Sequence, residues 1–246
     1  MADNIFKRLL CGRNRGKEIK RIDTISVTKD GSSDINECYN TIKDNILFMS
    51  GEDKPQVIQM ESSIAGEGKT TMCCNLATSL SFNDKKVLII DLDFRRPRVN
   101  KFFKVTNENG LVDYMSDKVS LDDAIKKTSY ENLDILPRGS SIYNPSLLLT
   151  SEKFALLINE LRETYDYIFL DSPPVLQVSE YIHVSKVADG ILFIVAYGKV
   201  KKRELKDSSA LLRKTGGKII GTIMTFYDLK KGGYYGNKYY YYGQQK

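Results

Sequence analysis

The stretch SSIAGEGKTT, residues 62–71, lies between an apolar run ending at Met60 and a helical run through Asn75, Leu76 and Ala77. A glycine-rich turn in that setting leaves backbone N–H groups free to converge on phosphate oxygens, and the helix N-terminus adds positive potential. Ala65, Gly66, Glu67, Gly68, Lys69, Thr70 and Thr71 form the expected cradle. Lys69 is placed to bridge the terminal phosphates of a nucleotide, and the Thr70 hydroxyl to bind Mg²⁺. The standard pattern wants glycine where Ser63 stands, so the placement on strand, loop and helix carries the identification rather than the spelling. A mere glycine-rich turn would not need Gly66, Gly68, Lys69 and Thr70 all in place.

Two acidic strand ends complete the pattern. The run LIIDLDFRRP, residues 88–97, delivers Asp91 and Asp93 from the C-terminal end of a buried strand, where open parallel sheets bind ligands. Carboxylates two residues apart point the same way in extended chain and repel each other unless a cation or a shared proton sits between them. Such a pair suits holding Mg²⁺ and accepting a proton. The bland alternative is a pair of solvated turn aspartates. The run YIFLDSPP, residues 167–174, is a second apolar strand ending in an acid, Asp171, whose carboxylate would reach the metal directly or through water. Pro173 and Pro174 stop that strand and exclude an immediate helix. The three pieces describe one Mg-nucleotide site.

Outward from these motifs, short apolar runs alternate with amphipathic helical stretches. Strands are expected at Val57–Met60, Val87–Ile90, Leu133–Leu136, Tyr167–Leu170, Ile191–Val195 and Ile219–Met224. Helices are clearest over 33–48, 152–163 and 203–214. Ser33 or Asp34 caps the first, in which Ile35, Tyr39, Ile42 and Ile46 recur at helical spacing. Phe154, Leu157, Ile158 and Leu161 make one buried stripe in the second. Gly216-Gly217 ends the third as a left-handed cap. Strand and helix in alternation with no long linker mean one α/β domain around a mostly parallel central sheet flanked by helices.

The chain has 246 residues and a formal net charge of +6, is 41% hydrophobic and 28% charged. The charge sits at the ends: residues 1–21 carry +5 and residues 228–246 carry +3, which leaves −2 for the body. A near-neutral body lacks the basic face that a nucleic-acid binder needs, so no nucleic acid is expected as partner. No apolar run is long enough to span a bilayer. Four cysteines, Cys11, Cys38, Cys73 and Cys74, form no CxxC pair, and adjacent cysteines cannot serve one structural bridge. Reduced thiols and a cytoplasmic location are expected. The division read from sequence is a flexible basic arm over 1–32, a core domain over 33–228 and a flexible tyrosine-rich tail over 229–246. Ile5, Phe6, Leu9 and Leu10 could instead give the arm a short membrane-touching face.

The triple SSIAGEGKTT, IIDLDFR and IFLDSPP, followed by a C-terminal tyrosine cluster, resembles the bacterial tyrosine kinases of the capsular and exopolysaccharide type. It is most similar to the separate cytoplasmic kinase subunit of Gram-positive bacteria. The likeness runs from about residue 33 to the C-terminus and includes ECYNTIKDNILF, ILPRGSSIYNPSLLL and the long stretch ADGILFIVAYGKVKKRELKDSSALLRKTGGKIIGTIM. The resemblance implies a P-loop NTPase fold of the deviant Walker A class. It implies that Lys69 and Thr70 hold phosphates and metal, that Asp91 is the favoured base, and that Asp93 and Asp171 support the metal, the roles of Asp91 and Asp93 being exchangeable. Arg95, which trails the aspartate pair, belongs to the most specific element. It also implies a membrane-spanning adaptor of the polysaccharide co-polymerase type as activator, recruitment to the inner face of the membrane, a ring-like homo-oligomer and an opposing tyrosine phosphatase. Regulation of polysaccharide synthesis and export would follow.

With a kinase site in place, the tail supplies acceptors. Tyr234, Tyr235, Tyr239, Tyr240, Tyr241 and Tyr242 fall within nine residues, with Gly233, Gly236 and Gly243 around them. A sticky aromatic tail that stacks on a partner or on bases is the alternative. Modification in trans is expected, one copy's tail entering the next copy's site.

Two departures stand out. The helix that assembles the family's rings carries Glu-x-x-Arg-x-x-Arg, and here the register gives Glu37, Asn40 and Lys43 on one helix face. Neither Asn40 nor Lys43 offers the bidentate fork of arginine. Thr225 stands where an adenine-reading asparagine is expected. Rival readings are a partitioning or placement ATPase, which would carry a signature lysine where Ile64 stands, and a nucleotide-gated regulatory module without kinase activity. His183, the Asp122-Asp123 pair and the Lys199–Arg203 run read as structural or solvated features.

Overall fold

The computed structural model describes residues 23–29, 31, 33–49 and 54–227. Six strands expected from hydrophobic runs are present, and a short seventh joins them. β1 (Val57–Ser62), β2 (Val87–Asp91), β4 (Leu133–Leu136), β5 (Tyr167–Asp171), β6 (Gly190–Ala196) and β7 (Ile219–Thr225) pair in parallel, and β3 (Lys126–Lys127) runs antiparallel to β4 at one edge. The order across the sheet is β3-β4-β2-β5-β1-β6-β7. Two lysines carry no apolar signal, which is why β3 is invisible to a hydrophobicity reading.

Strand alternation sorts the core onto two faces. On β2, Ile89 points to one face and Leu88 and Ile90 to the other; on β5, Tyr167 and Phe169 oppose Ile168 and Leu170. The first face is covered by α1 (Asp34–Phe48) and α2 (Lys69–Ser81). The second is covered by α7 (Glu152–Arg162) through Phe154, Leu157, Ile158 and Leu161, all essentially without exposed surface. α9 (Lys202–Lys214) lays Leu212 against Ile191, Phe193 and Val195 of β6. α3 (Val99–Phe103), α4 (Leu111–Met115), α5 (Leu121–Ala124), α6 (Pro145–Leu149) and α8 (Tyr181–Val184) are single turns in the connections.

The helix ends follow local chemistry. Ser33 caps α1 by accepting the Asn36 N–H, and Ser151 caps α7 in the same way. Gly216, with φ near +80°, turns the chain out of α9. Ser120 accepts the Asp123 N–H, so the Asp122-Asp123 pair opens α5 rather than a metal site. One boundary from the sequence needs correction. Residues 23–29 are not a free arm: Val27 is buried, Asn75 Oδ1 accepts from the Ser26 and Val27 amides, and Arg98 pairs with Asp23. A single Asn on α2 thereby ties down a segment whose composition reads as solvent-facing. Residues 1–22 and the tail from Asp228 onward, with its six tyrosines, lie outside the described residues.

Candidate active site

β1, β2 and β5 are neighbours, and all three end at the same sheet edge. The loop that follows β1 needs glycine at two points: Gly66 and Gly68 take φ of 80° and 87°, a left-handed conformation that side chains disfavour. Gly68 is the residue from which α2 springs, so the first-turn amides of Lys69, Thr70 and Thr71 have no acceptor earlier in the helix. Glu67, read from sequence only as a cradle position, does more. Its buried carboxylate accepts the Ile64 N–H at 2.8 Å and the Ala196 N–H at 2.9 Å, which staples the loop to the end of β6. Two residues beyond the sequence motif brace the same loop. Lys199 donates to the Gly66 carbonyl, and Thr225 Oγ1 donates to the Glu67 carbonyl at 2.6 Å. The Lys199–Arg203 run is therefore in part a site contact rather than only a solvated helix start.

Lys69 Nζ lies 2.5 Å from Asp171 Oδ1, and Thr70 Oγ1 donates to Asp171 Oδ2 at 2.8 Å. Both Lys69 and Asp171 are buried, and Asp171 raises the affinity of the lysine for its proton against the opposing effect of burial. Asp91 is the register partner of Asp171 across β2 and β5. It has no exposed surface, and burial together with the Asp171 charge raises its carboxyl to about 7. Backbone donors pull the other way: Arg98 N and Val99 N reach Asp91 Oδ2 at 2.9 and 3.0 Å. Asp93 is more open, and its Oδ1 accepts the Arg95 and Arg96 amides. The Arg95 guanidinium turns away from this group to Glu180 at 3.4 Å.

One site feature escaped the sequence reading altogether. Glu61, near the end of β1, is fully buried; Gln59 donates to its Oε1, while its Oε2 and the hydroxyls of Ser63 and Ser172 have no hydrogen-bond partner. Burial pushes its carboxyl up to about 8, so it is neutral at pH 7. An acid inside an apolar strand has no periodic signature that could announce it. Cys73 and Cys74 are both buried and their thiols are pushed well up, first by burial, so neither has the thiolate character of a redox switch. Glu37, Asn40 and Lys43 lie on α1, apart from this group, with Lys43 donating to Asn40.

An ammonium and a hydroxyl on Asp171, with Asp91 at the next strand end beside a glycine loop, fit a nucleotide phosphate chain with a divalent cation. The donor set is of the kind that such a ligand selects. Among the described residues no helix is long and apolar enough to cross a membrane.

Comparison with known proteins agrees with this geometry. Residues 55–205 match the family described as AAA domain (AAA_31). The chain is 32% identical to a putative tyrosine-protein kinase CapB of Staphylococcus aureus over 93% of this chain and 99% of that protein. The crystal structure of the chimerical protein CapA2B2 superposes with a TM-score of 0.75 at 28% identity, covering 91% of this chain and 98% of that one. The septum site-determining protein MinD of Pyrococcus horikoshii, complexed with Mg-ADP, is more distant, with a TM-score of 0.59 at 27% identity over 69% of each chain. Full-length coverage of a kinase and the weaker match to MinD disfavour the placement ATPase reading. With a nucleotide-binding P-loop fold and this coverage, the chain belongs to the bacterial tyrosine-protein kinases.

Proposed function

We propose that the chain carries the γ-phosphoryl group of ATP, taken as its Mg²⁺ complex, to tyrosine hydroxyls, with Tyr234, Tyr235 and Tyr239 to Tyr242 of neighbouring copies as acceptors. The convergence of Lys69 and Thr70 on Asp171, with Asp91 at the next strand end, is the observation that carries this reading. When bound, the metal–nucleotide supplies the phosphoryl group and neutralises charge on its oxygens. The chain's part is positioning and electrostatics. The amides of the glycine loop and of the first turn of α2 face the phosphates. With a nucleotide bound, Lys69 would hold its terminal phosphates, and Asp171, Thr70 and Asp93 would hold the cation.

Asp91 is favoured as the proton acceptor. A tyrosine hydroxyl has a pKa near 10, and a carboxyl raised to about 7 holds its proton far better than an ordinary aspartate. Arg95, held by Glu180, is a positioning residue of the aspartate loop.

Sheet order restricts Tyr234 alone, since Tyr239 to Tyr242 lie 12 to 15 residues past Tyr227 and have ample reach; transfer between copies is taken from the resemblance. Tyr227 follows β7, four strands from β2, a span of roughly 19 Å at the usual strand spacing. Tyr234 lies seven residues on and would reach its own β2 edge only as a nearly straight chain laid across the nucleotide seat. The resemblance and the CapA2B2 chimera support a split system, in which a membrane-spanning adaptor activates the kinase at the inner membrane face. Control of capsular or exopolysaccharide synthesis and reversal by a phosphatase belong to the same reading. The Glu37, Asn40 and Lys43 face would hold a ring only weakly.

Mixing a Lys69→Met chain with an active chain lacking residues 229–246 tests the reading. Phosphate on the tail of the Lys69→Met partner is the expected result; an unlabelled partner overturns transfer in trans.

A further inference from the structure

The loop between β2 and α3 forms the rim of a hollow of about 490 Å³, lined by Arg95, Arg96, Pro97, Arg98, Asn100, Lys101 and Asn107. The hollow is open to solvent, a surface depression rather than an enclosed pocket. Four of its walls are cationic and none is acidic. Two of the cations are already matched, Arg95 by Glu180 and Arg98 by Asp23. Arg96 and Lys101 are exposed and meet no carboxylate among the described residues. Two unmatched positive charges on one wall suit a dianion, and an aryl phosphate carries about −1.5 to −2 at neutral pH.

The hollow is built from the same backbone as the site carboxylates. Arg95 and Arg96 donate their amides to Asp93, and Arg98 and Val99 donate theirs to Asp91. A ligand gripped here is therefore held on the same loop that holds the aspartate pair. The tail before modification carries +3 over residues 228–246 and is repelled by this surface. One phosphate reverses that sign locally.

We propose that this hollow is a phosphotyrosine-binding subsite: it holds a tail tyrosine that has already been modified and so presents the remaining tyrosines of the cluster to the aspartate pair. This rests on the tail being the acceptor. The first phosphate is then the slow one, and the clustering of six tyrosines has a physical use, since a neighbour two to eight residues away is tethered at high local concentration.

The test uses the full chain and synthetic peptides of residues 228–246, unmodified or carrying one phosphate on Tyr242, with binding read by fluorescence anisotropy. The phosphopeptide should bind about tenfold more tightly than the unmodified one, from two added charge pairs. Arg96→Ala/Lys101→Ala should erase that preference and leave labelling of a tail that keeps only Tyr242 unchanged. Equal binding of the two peptides, or a preference that survives the double substitution, overturns the proposal. So does a double variant that loses only its binding to phosphatidylserine vesicles, since the hollow would then serve a lipid surface. Peptide binding involves no transfer, so a chain that prefers the phosphopeptide but never labels its own tail refutes the acceptor reading and not the subsite.

Discussion

The ammonium of Lys69 lies 2.5 Å from Asp171 Oδ1 while the hydroxyl of Thr70, the next residue, holds Oδ2 of the same carboxylate. The phosphate-binding lysine and the metal-binding acid therefore satisfy each other within the protein. Both are buried, so the pair must open as a unit when phosphates and a cation take their places. A buried pair broken from one side leaves an uncompensated charge, which costs about 3–5 kcal/mol. Lys69→Met should accordingly abolish tyrosine phosphorylation and also lower the stability by about 3 kcal/mol in urea unfolding. Adding Asp171→Asn should restore part of that stability and none of the activity.

Asp91 should impose a pH limb on the reaction. Without metal, burial and the Asp171 charge hold its carboxyl at about 7, and a bound cation lowers it; since it accepts a proton only when ionised, the single-turnover rate should rise with pH on a limb below about 7. Asp91→Asn should lose that limb and fall by about 10²–10⁴-fold. Asp93→Asn should keep the limb and raise the Mg²⁺ concentration needed for half-maximal rate. A retained limb in Asp91→Asn would exchange the two roles.

Glu61 makes stability depend on pH in a direction opposite to an ion-paired carboxylate. Its folded value of about 8 exceeds the unfolded 4.5, so its contribution is complete below pH 4.5 and is lost as pH rises through 8. Thermal unfolding of Glu61→Gln, which mimics the protonated acid, should match the wild type near pH 4 and be more stable near pH 9. The difference at high pH should reach a few kcal/mol.

Glu67 holds two backbone donors, the Ile64 and Ala196 amides. Glu67→Ala leaves the buried Ala196 N–H unpaired, at about 1–3 kcal/mol, and takes the acceptor from the part-buried Ile64 N–H. Calorimetry should show a lower melting temperature, and nucleotide titration a weaker affinity, because the loop loses its link to β6.

Assembly should respond to the face of α1. Asn40→Arg/Lys43→Arg places two planar forks on the helix face that carries Glu37, and light scattering should show a larger share of oligomer than in the wild type. Glu37→Ala in that background should reverse the gain.

Much of the fold was legible in the residues themselves. Apolar runs of strand length, separated by amphipathic stripes such as Phe154–Leu161, leave a parallel sheet with helices on both faces as the way to bury every run. Gly66, Gly68, Lys69, Thr70, Asp91 and Asp171 could be read because phosphate and metal chemistry restrict which residue types serve at those spacings. The antiparallel edge strand of Lys126 and Lys127 and the docking of residues 23–29 were not legible, since neither carries an apolar period.

Sequence by itself determined the chemistry of the nucleotide site, because local spacing along strand, loop and helix is enough to bring a lysine, a hydroxyl and an acid to one place. Only tertiary structure decided the environment of those groups. Whether a carboxylate is charged depends on what surrounds it. The neutral Glu61, the raised Asp91 and the Glu67 staple all follow from burial and from groups brought close by the sheet, some more than a hundred residues away.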